Sequence, residues 1–194
     1  RCHGGSDPID GGWSYDDLAD DLSRVADAFQ ATQAVGLSLG AGALLRLLTR
    51  DPGRFERLAF LLPATLAERG DDLATERLLR LADRLSRGDR AGAVSILLEE
   101  VPSSIRARQG VRILVDRRAR QMLGTLPPFP RDAQTPLKTL RDLAGVTAPA
   151  LVVSQSDDLL HPTDVAVRLA AALGRAELLP LGPGGVFWTE SRRV

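Results

Sequence analysis

The chain has 194 residues, enough to bury a substantial core as one domain or one domain with an insertion, and its 25 basic and 25 acidic residues cancel. No overall field therefore draws it to nucleic acid or to an anionic membrane, and no apolar run reaches the length of a membrane span. A single cysteine, Cys2, excludes an internal disulfide, and two distant histidines, His3 and His161, offer no ligand cluster for a metal.

Taken in order, Gly11-Gly12 is a breaker and Ser14 a helix N-cap, with Asp16 and Asp17 in the first turn, where acids suit the helix dipole. Leu18, Leu22, Val25 and Phe29 recur at helical spacing, which predicts an amphipathic helix over 15–29 lying on a sheet; Trp13 reads as packing at its entrance. Ala34 to Leu37 reads as the end of a buried strand. A helix over about 39–49 follows, ended by Asp51-Pro52-Gly53. Leu58 to Leu62 is an apolar run suited to a parallel strand buried on both faces, closed by Pro63.

From about residue 67 to 136 the pattern turns helical and Arg-rich. Leu73, Leu78, Leu81 and Leu85 mark one helix, Ala93, Ile96 and Leu97 a second, and Ile113, Leu114 and Met122 a third, punctuated by Gly88-Asp89 and Pro102-Ser103. Leu126-Pro127-Pro128-Phe129-Pro130 is a stiff connector, because repeated proline cannot continue a helix. A short return helix over 136–143 leads to a strand at 150–154 and to Asp157-Asp158. Next comes a helix over about 162–173 with Val165, Leu169 and Leu173 inward, a last strand over 177–181, and a loop through Gly182-Pro183-Gly184-Gly185.

The chemistry gathers at Ala34 to Leu45, where Gly36 and Gly40 flank Ser38 at the G-x-S-x-G spacing, between a strand and a helix. A sharp turn there is expected to need small residues on both sides, since a Cβ would meet the adjoining strand and helix. The hydroxyl is then lifted clear of the sheet, with the N–H of Leu39 and the positive helix end placed to stabilise an oxyanion. Read instead as a phosphate-binding loop, Gly36 to Gly42 lacks the closing Lys-Ser/Thr, so no cofactor is expected.

In these residues the chain resembles the α/β-hydrolase family. Also similar are Arg1-Cys2-His3-Gly4-Gly5-Ser6-Asp7, like the R-G-x-G-x-S-D loop after the family's fourth strand, and Ala148 to Val153, like its seventh strand. The likeness covers residues 1–66 and 143–190. It implies an α/β fold with a doubly wound, mostly parallel sheet, residues 1–66 and 137–194 forming the core and 67–136 an inserted helical cap. The alternative for 67–136 is a set of ordinary surface helices with solvated arginines. Against the family pattern the first strands are missing, which reads as a fragment of a longer protein; a cytoplasmic location is only weakly indicated.

The resemblance implies a nucleophile, an acid and a base in that chain order. Ser38 matches the nucleophile, Leu39 the oxyanion donor, and Asp158 the acid, four residues before Pro162 as in the family's D-x-x-x-P pattern; Asp157 is the alternative acid. The base departs from the pattern. Where the family carries a Gly-His pair, this chain has Gly185-Val186, and neither residue can carry a proton. His161, on the acid loop at the same edge of the sheet as Ser38, is the candidate base, with a loop-packing role as the alternative; His3 matches a variable position. The expected function is a serine hydrolase acting on a small ester, lactone, thioester or related molecule, with no nucleic-acid or membrane partner and an open oligomeric state. The alternative is a catalytically impaired member that binds a small ligand or a protein partner.

Overall fold

The computed structural model describes residues 6–7, 13–67, 72–123, 135–190 and 192. The expectations for Cys2, His3, the Arg1 to Gly5 part of the first loop, Gly11-Gly12 and the proline connector lie outside the described residues. Two compact units emerge, one from residues 13–67 and 135–190 and the other from the helices between 72 and 123.

The first unit is built on a parallel sheet of four strands among the described residues, ordered β1 (Gln33–Leu37), β2 (Arg57–Leu61), β3 (Ala150–Gln155) and β4 (Ala176–Leu181). Parallel neighbours need crossover connections, and helices α2 (Leu39–Arg50) and α7 (Thr163–Ala172) provide two of them. Alternation along the strands sends Leu58, Phe60, Ala150 and Val152 into one core with Leu44, Leu45 and Leu48 of α2 and Val165, Ala166 and Leu169 of α7. A smaller cluster of Leu62, Val153, Leu181 and Val186 involves the alternate positions. Register brings Leu37 opposite Leu61, Leu61 opposite Val153, and Val153 opposite Leu179. The carboxyl ends of the four strands are thus aligned at one edge.

Helix α1 (Tyr15–Ala28) begins as expected at Ser14, whose hydroxyl accepts from the Asp17 N–H while the Asp17 carboxylate accepts from the Ser14 N–H. Its packing differs from the expectation. α1 lies against α2 through Ala19, Ala26 and Leu22, while Val25 and Phe29 are 57% and 80% exposed. Small side chains allow the closer approach, and the same logic holds opposite, where a Cβ on Gly42 would collide with the Tyr15 ring. Burial at that contact pushes the Tyr15 hydroxyl up to about 12.

β1 also departs from the expectation of a buried strand. It pairs only with β2 among the described residues, and Val35 is 70% exposed. The expected return helix at 136–143 is a single 3-10 turn, Leu140–Leu143, capped by Thr139.

In the second unit, α3 (Asp72–Ser86), α4 (Arg90–Glu99), α5 (Ser103–Arg106) and α6 (Gln109–Met122) pack on Leu81, Leu85, Ala93, Ile96, Leu97, Val111, Val115 and Ala119. The side chains of Leu73 and Leu78 are not among those described. α6 turns the other way from its expected face, with Ile113 and Leu114 exposed, because Val111, Val115 and Ala119 make the narrower stripe that fits α4. Arg77 is buried between α3 and α4, donating to the Ile96 carbonyl and pairing with Glu99. No helix among the described residues is long and apolar enough to cross a membrane.

Candidate active site

The backbone is strained at the aligned strand ends. Ser38, Leu62 and Asp157 follow β1, β2 and β3, and all three have positive φ, at 50°, 50° and 56°. Such conformations cost on the order of 1–3 kcal/mol each in residues other than glycine, so three beside one another mark an edge held by its surroundings. Ser38 is itself the turn. It follows β1 directly, caps α2 with ψ at −111°, and donates its N–H to the Leu61 carbonyl at 2.9 Å.

Close approach of β1 to α2 depends on Gly36, where a Cβ would stand 2.6 Å from the Gly40 carbonyl oxygen and 2.7 Å from the Ala41 Cα. Gly40 corrects the expectation of small residues on both sides, since a Cβ there would meet nothing within 4 Å. The Cβ position of Gly40 faces open space while its carbonyl lies against β1, so only the strand side is crowded. Leu39 opens α2, so its N–H is one of the first-turn amides without an intrahelical carbonyl.

Ser38, His161 and Asp158 stand in a row. Ser38 Oγ is 2.8 Å from His161 Nε2, and His161 Nδ1 is 2.8 Å from Asp158 Oδ2. A carboxylate can only accept, so Nδ1 carries the imidazole proton and Nε2 is left to accept from the Ser38 hydroxyl. The histidine and aspartate side chains retain 13% and 12% of their exposure. Gly185 and Val186, either of which stands where the resemblance would put a histidine, are both buried, Val186 in the apolar cluster of Leu62, Val153 and Leu181.

The acid loop explains how base and acid sit three residues apart. Asp157 takes the positive φ and stays exposed. Asp158 Oδ1 then accepts the backbone N–H groups of Leu160 and His161 at 3.0 and 3.1 Å, which folds the loop back on the carboxylate and turns the imidazole towards β1. Oδ2 accepts from His161 and also from Gln155 Nε2, at 2.6 Å. Burial pushes the Asp158 carboxyl up, but the hydrogen bond and charge of His161, with the donors of Gln155 and Leu160, outweigh it and hold the group below its ordinary range.

A folded-state value below the unfolded one means that the ionised Asp158 stabilises the fold above about pH 4, and that this contribution is lost as pH falls through the lowered value. Denaturant melts of the protein and of Asp158→Asn are therefore expected to converge as pH is lowered below about 4. A stability difference that is the same at pH 3 and pH 7 would contradict the assignment.

Gln155 was not singled out in the sequence. Its signal is the polar pair Ser154-Gln155 closing the apolar run Ala150-Leu151-Val152-Val153, at the point where the strand meets the edge. Asp157 makes no contact of this kind with His161, and His3 lies outside the described residues. Among the described residues no group of three or more His, Cys, Asp and Glu side chains could hold a metal.

No family model and no curated protein matches the sequence. Solved structures do. The meta-cleavage product hydrolase CumD from Pseudomonas fluorescens IP01 superposes with a TM-score of 0.72 at 19% identity, over 99% of this chain and 73% of that one. MGS-M2, an α/β hydrolase from a Medee basin deep-sea metagenome library, gives 0.75 at 17% identity over 99% and 73%. Est816, described as an N-acyl homoserine lactone degrading enzyme, gives 0.68 at 21% identity over 100% and 79%. At such identities the likeness is one of fold. Together with the parallel sheet and its crossover helices, it shows that this chain has the α/β-hydrolase fold.

Proposed function

We propose that the protein is a serine hydrolase of the α/β-hydrolase fold, with Ser38 as nucleophile, His161 as general base and Asp158 as the acid that orients it. The observation carrying this reading is the hydrogen-bonded row from Ser38 Oγ through His161 to Asp158, at 2.8 Å for each step. A serine hydroxyl is a poor nucleophile near neutral pH, and an unprotonated Nε2 at that distance can remove its proton as the oxygen attacks a carbonyl carbon. Negative charge forming on the substrate oxygen faces the Leu39 N–H and the start of α2. The imidazolium is stabilised by the ionised Asp158, then returns its proton to the leaving group. Water, activated by the same nitrogen, releases the acyl group and restores Ser38.

The substrate is a small ester, lactone or thioester. The structural neighbours named above as hydrolases and as a lactone-degrading enzyme support that class. Exposed Leu37 and Leu39 flank Ser38 in the chain, and exposed Leu159 lies between Asp158 and His161, which favours apolar substituents over charged ones. Residues 67–136 take the part of the inserted cap, on the strength of their place in the chain between β2 and β3.

An active-site fluorophosphonate probe tests the reading. It is expected to label the protein once, at Ser38, and Ser38→Ala to abolish the label. A folded sample that stays unlabelled would sink the hydrolase reading and favour a ligand-binding protein on the same fold.

A further inference from the structure

Acid and base come from one short loop, so whatever fixes that loop to the sheet fixes both. The backbone turn around Asp158 is internal to the loop and cannot do this alone. Gln155 can, because it is the last residue of β3, is 6% exposed, and reaches in two directions. Its Oε1 accepts the Val186 N–H at 3.1 Å, and its Nε2 donates to Asp158 Oδ2 at 2.6 Å. The amide has only this orientation, since the Val186 N–H must face an oxygen and the carboxylate must face a donor. Its backbone carbonyl accepts from Thr163 Oγ1 at 3.2 Å, which ties the same residue to the start of α7.

We propose that Gln155 is a positioning residue, a strut that joins the Gly185–Thr189 turn after β4 to the carboxylate of Asp158 and thereby aims His161 at Ser38. The inference rests on the hydrolase reading above. The segment from which the family resemblance would draw the base contributes a backbone N–H here, and the glutamine carries that restraint to the acid. A neutral donor suits the task. It fixes the carboxylate while leaving its full negative charge for the imidazolium, whereas a lysine or arginine at 155 would cancel that charge.

Gln155→Met keeps length and apolar volume but neither donates nor accepts. Turnover of p-nitrophenyl butyrate by this variant, normalised to the folded fraction, is expected to show kcat lowered about 10- to 100-fold with KM within about two-fold, because aim is lost and substrate contact is kept. The loss of aim is read without turnover as a moved His161 Nδ1–H resonance, which reports the hydrogen bond to Asp158; the chain has only two histidines, and His161→Gln identifies the signal. Val186→Pro removes the other end of the strut; it should lower kcat in the same direction, and adding it to Gln155→Met should cost nothing further.

An unchanged kcat and an unmoved His161 Nδ1–H resonance in Gln155→Met would overturn the proposal, as would additive losses in the double variant. Should Ser38 label normally while Gln155→Met behaves as the wild type, the strut fails and the hydrolase reading stands. Should the wild type remain unlabelled, the hydrolase reading fails, and the His161 Nδ1–H resonance alone still decides whether Gln155 governs the pair.

Discussion

Replacing His161 by glutamine is expected to lower kcat for an activated ester by on the order of 10⁴-fold, and Ser38→Ala by at least as much. Glutamine at 161 can still fill the loop and donate a hydrogen bond, but it has no nitrogen that both receives the serine proton and returns it to the leaving group. The two losses should not add, because serine and imidazole act in one proton transfer, 2.8 Å apart. A histidine placed at 186 should not rescue His161→Gln, since that side chain is buried among Leu62, Val153 and Leu181. Esterase turnover of His161→Gln within ten-fold of the wild type would remove the imidazole from the mechanism; rescue by Val186→His would return the base to the segment after β4.

How much of this was legible without coordinates differs from residue to residue. The strand-serine-helix corner could be read because its requirements are local. Gly36, Ser38 and the apolar runs on either side lie within a dozen residues, and steric exclusion acts over that distance. The boundaries of α7, β3 and β4 were legible for the same reason, as were the buried Val165, Leu169 and Leu173. Which face of α1 or α6 turns inward was not. α1 turns Ala19 and Ala26 inward and α6 turns Val111, Val115 and Ala119 inward, and in each the partner helix selects the smaller side chains because they permit closer packing.

The base presented the opposite difficulty. His161 could be named as a candidate, but whether it meets Ser38 depends on a positive φ at Asp157 and on two backbone hydrogen bonds to Asp158, and neither is written in residue spacing. Gln155 was hidden more deeply. A glutamine at a strand end is an ordinary residue until a carboxylate and a backbone N–H from two different loops are brought to its two ends. Side chains whose role is to connect segments distant in sequence leave little local trace, and they are what coordinates add to a motif.

The two glycines of the motif are expected to respond in opposite ways to alanine. At Gly36 the new Cβ would lie 2.6–2.8 Å from the Gly40 carbonyl oxygen and from Ala41 Cα and N, all of them backbone atoms that no rotamer change can move. Either β1 must shift out of register with β2 or α2 must lift from the sheet, and both disturb the core built on Ala41, Leu44 and Leu45. Gly36→Ala should therefore cost about 3 kcal/mol, lowering Tm by roughly 6–12 °C for a chain of this size. Gly40 lies in the first turn of α2 with open space where its Cβ would go, so Gly40→Ala relieves the entropy penalty of a helical glycine and should raise stability by up to about 1 kcal/mol. Thermal melts of the two variants check this directly. Fluorophosphonate labelling adds a second reading, because Gly40→Ala should label at the wild-type rate while any folded Gly36→Ala labels slowly, its hydroxyl having been carried away from His161 with the displaced corner. Equal melting temperatures for the two variants would mean that the corner at Ser38 is not held by the crowding of β1 against α2, and the strain at φ 50° would then need another source.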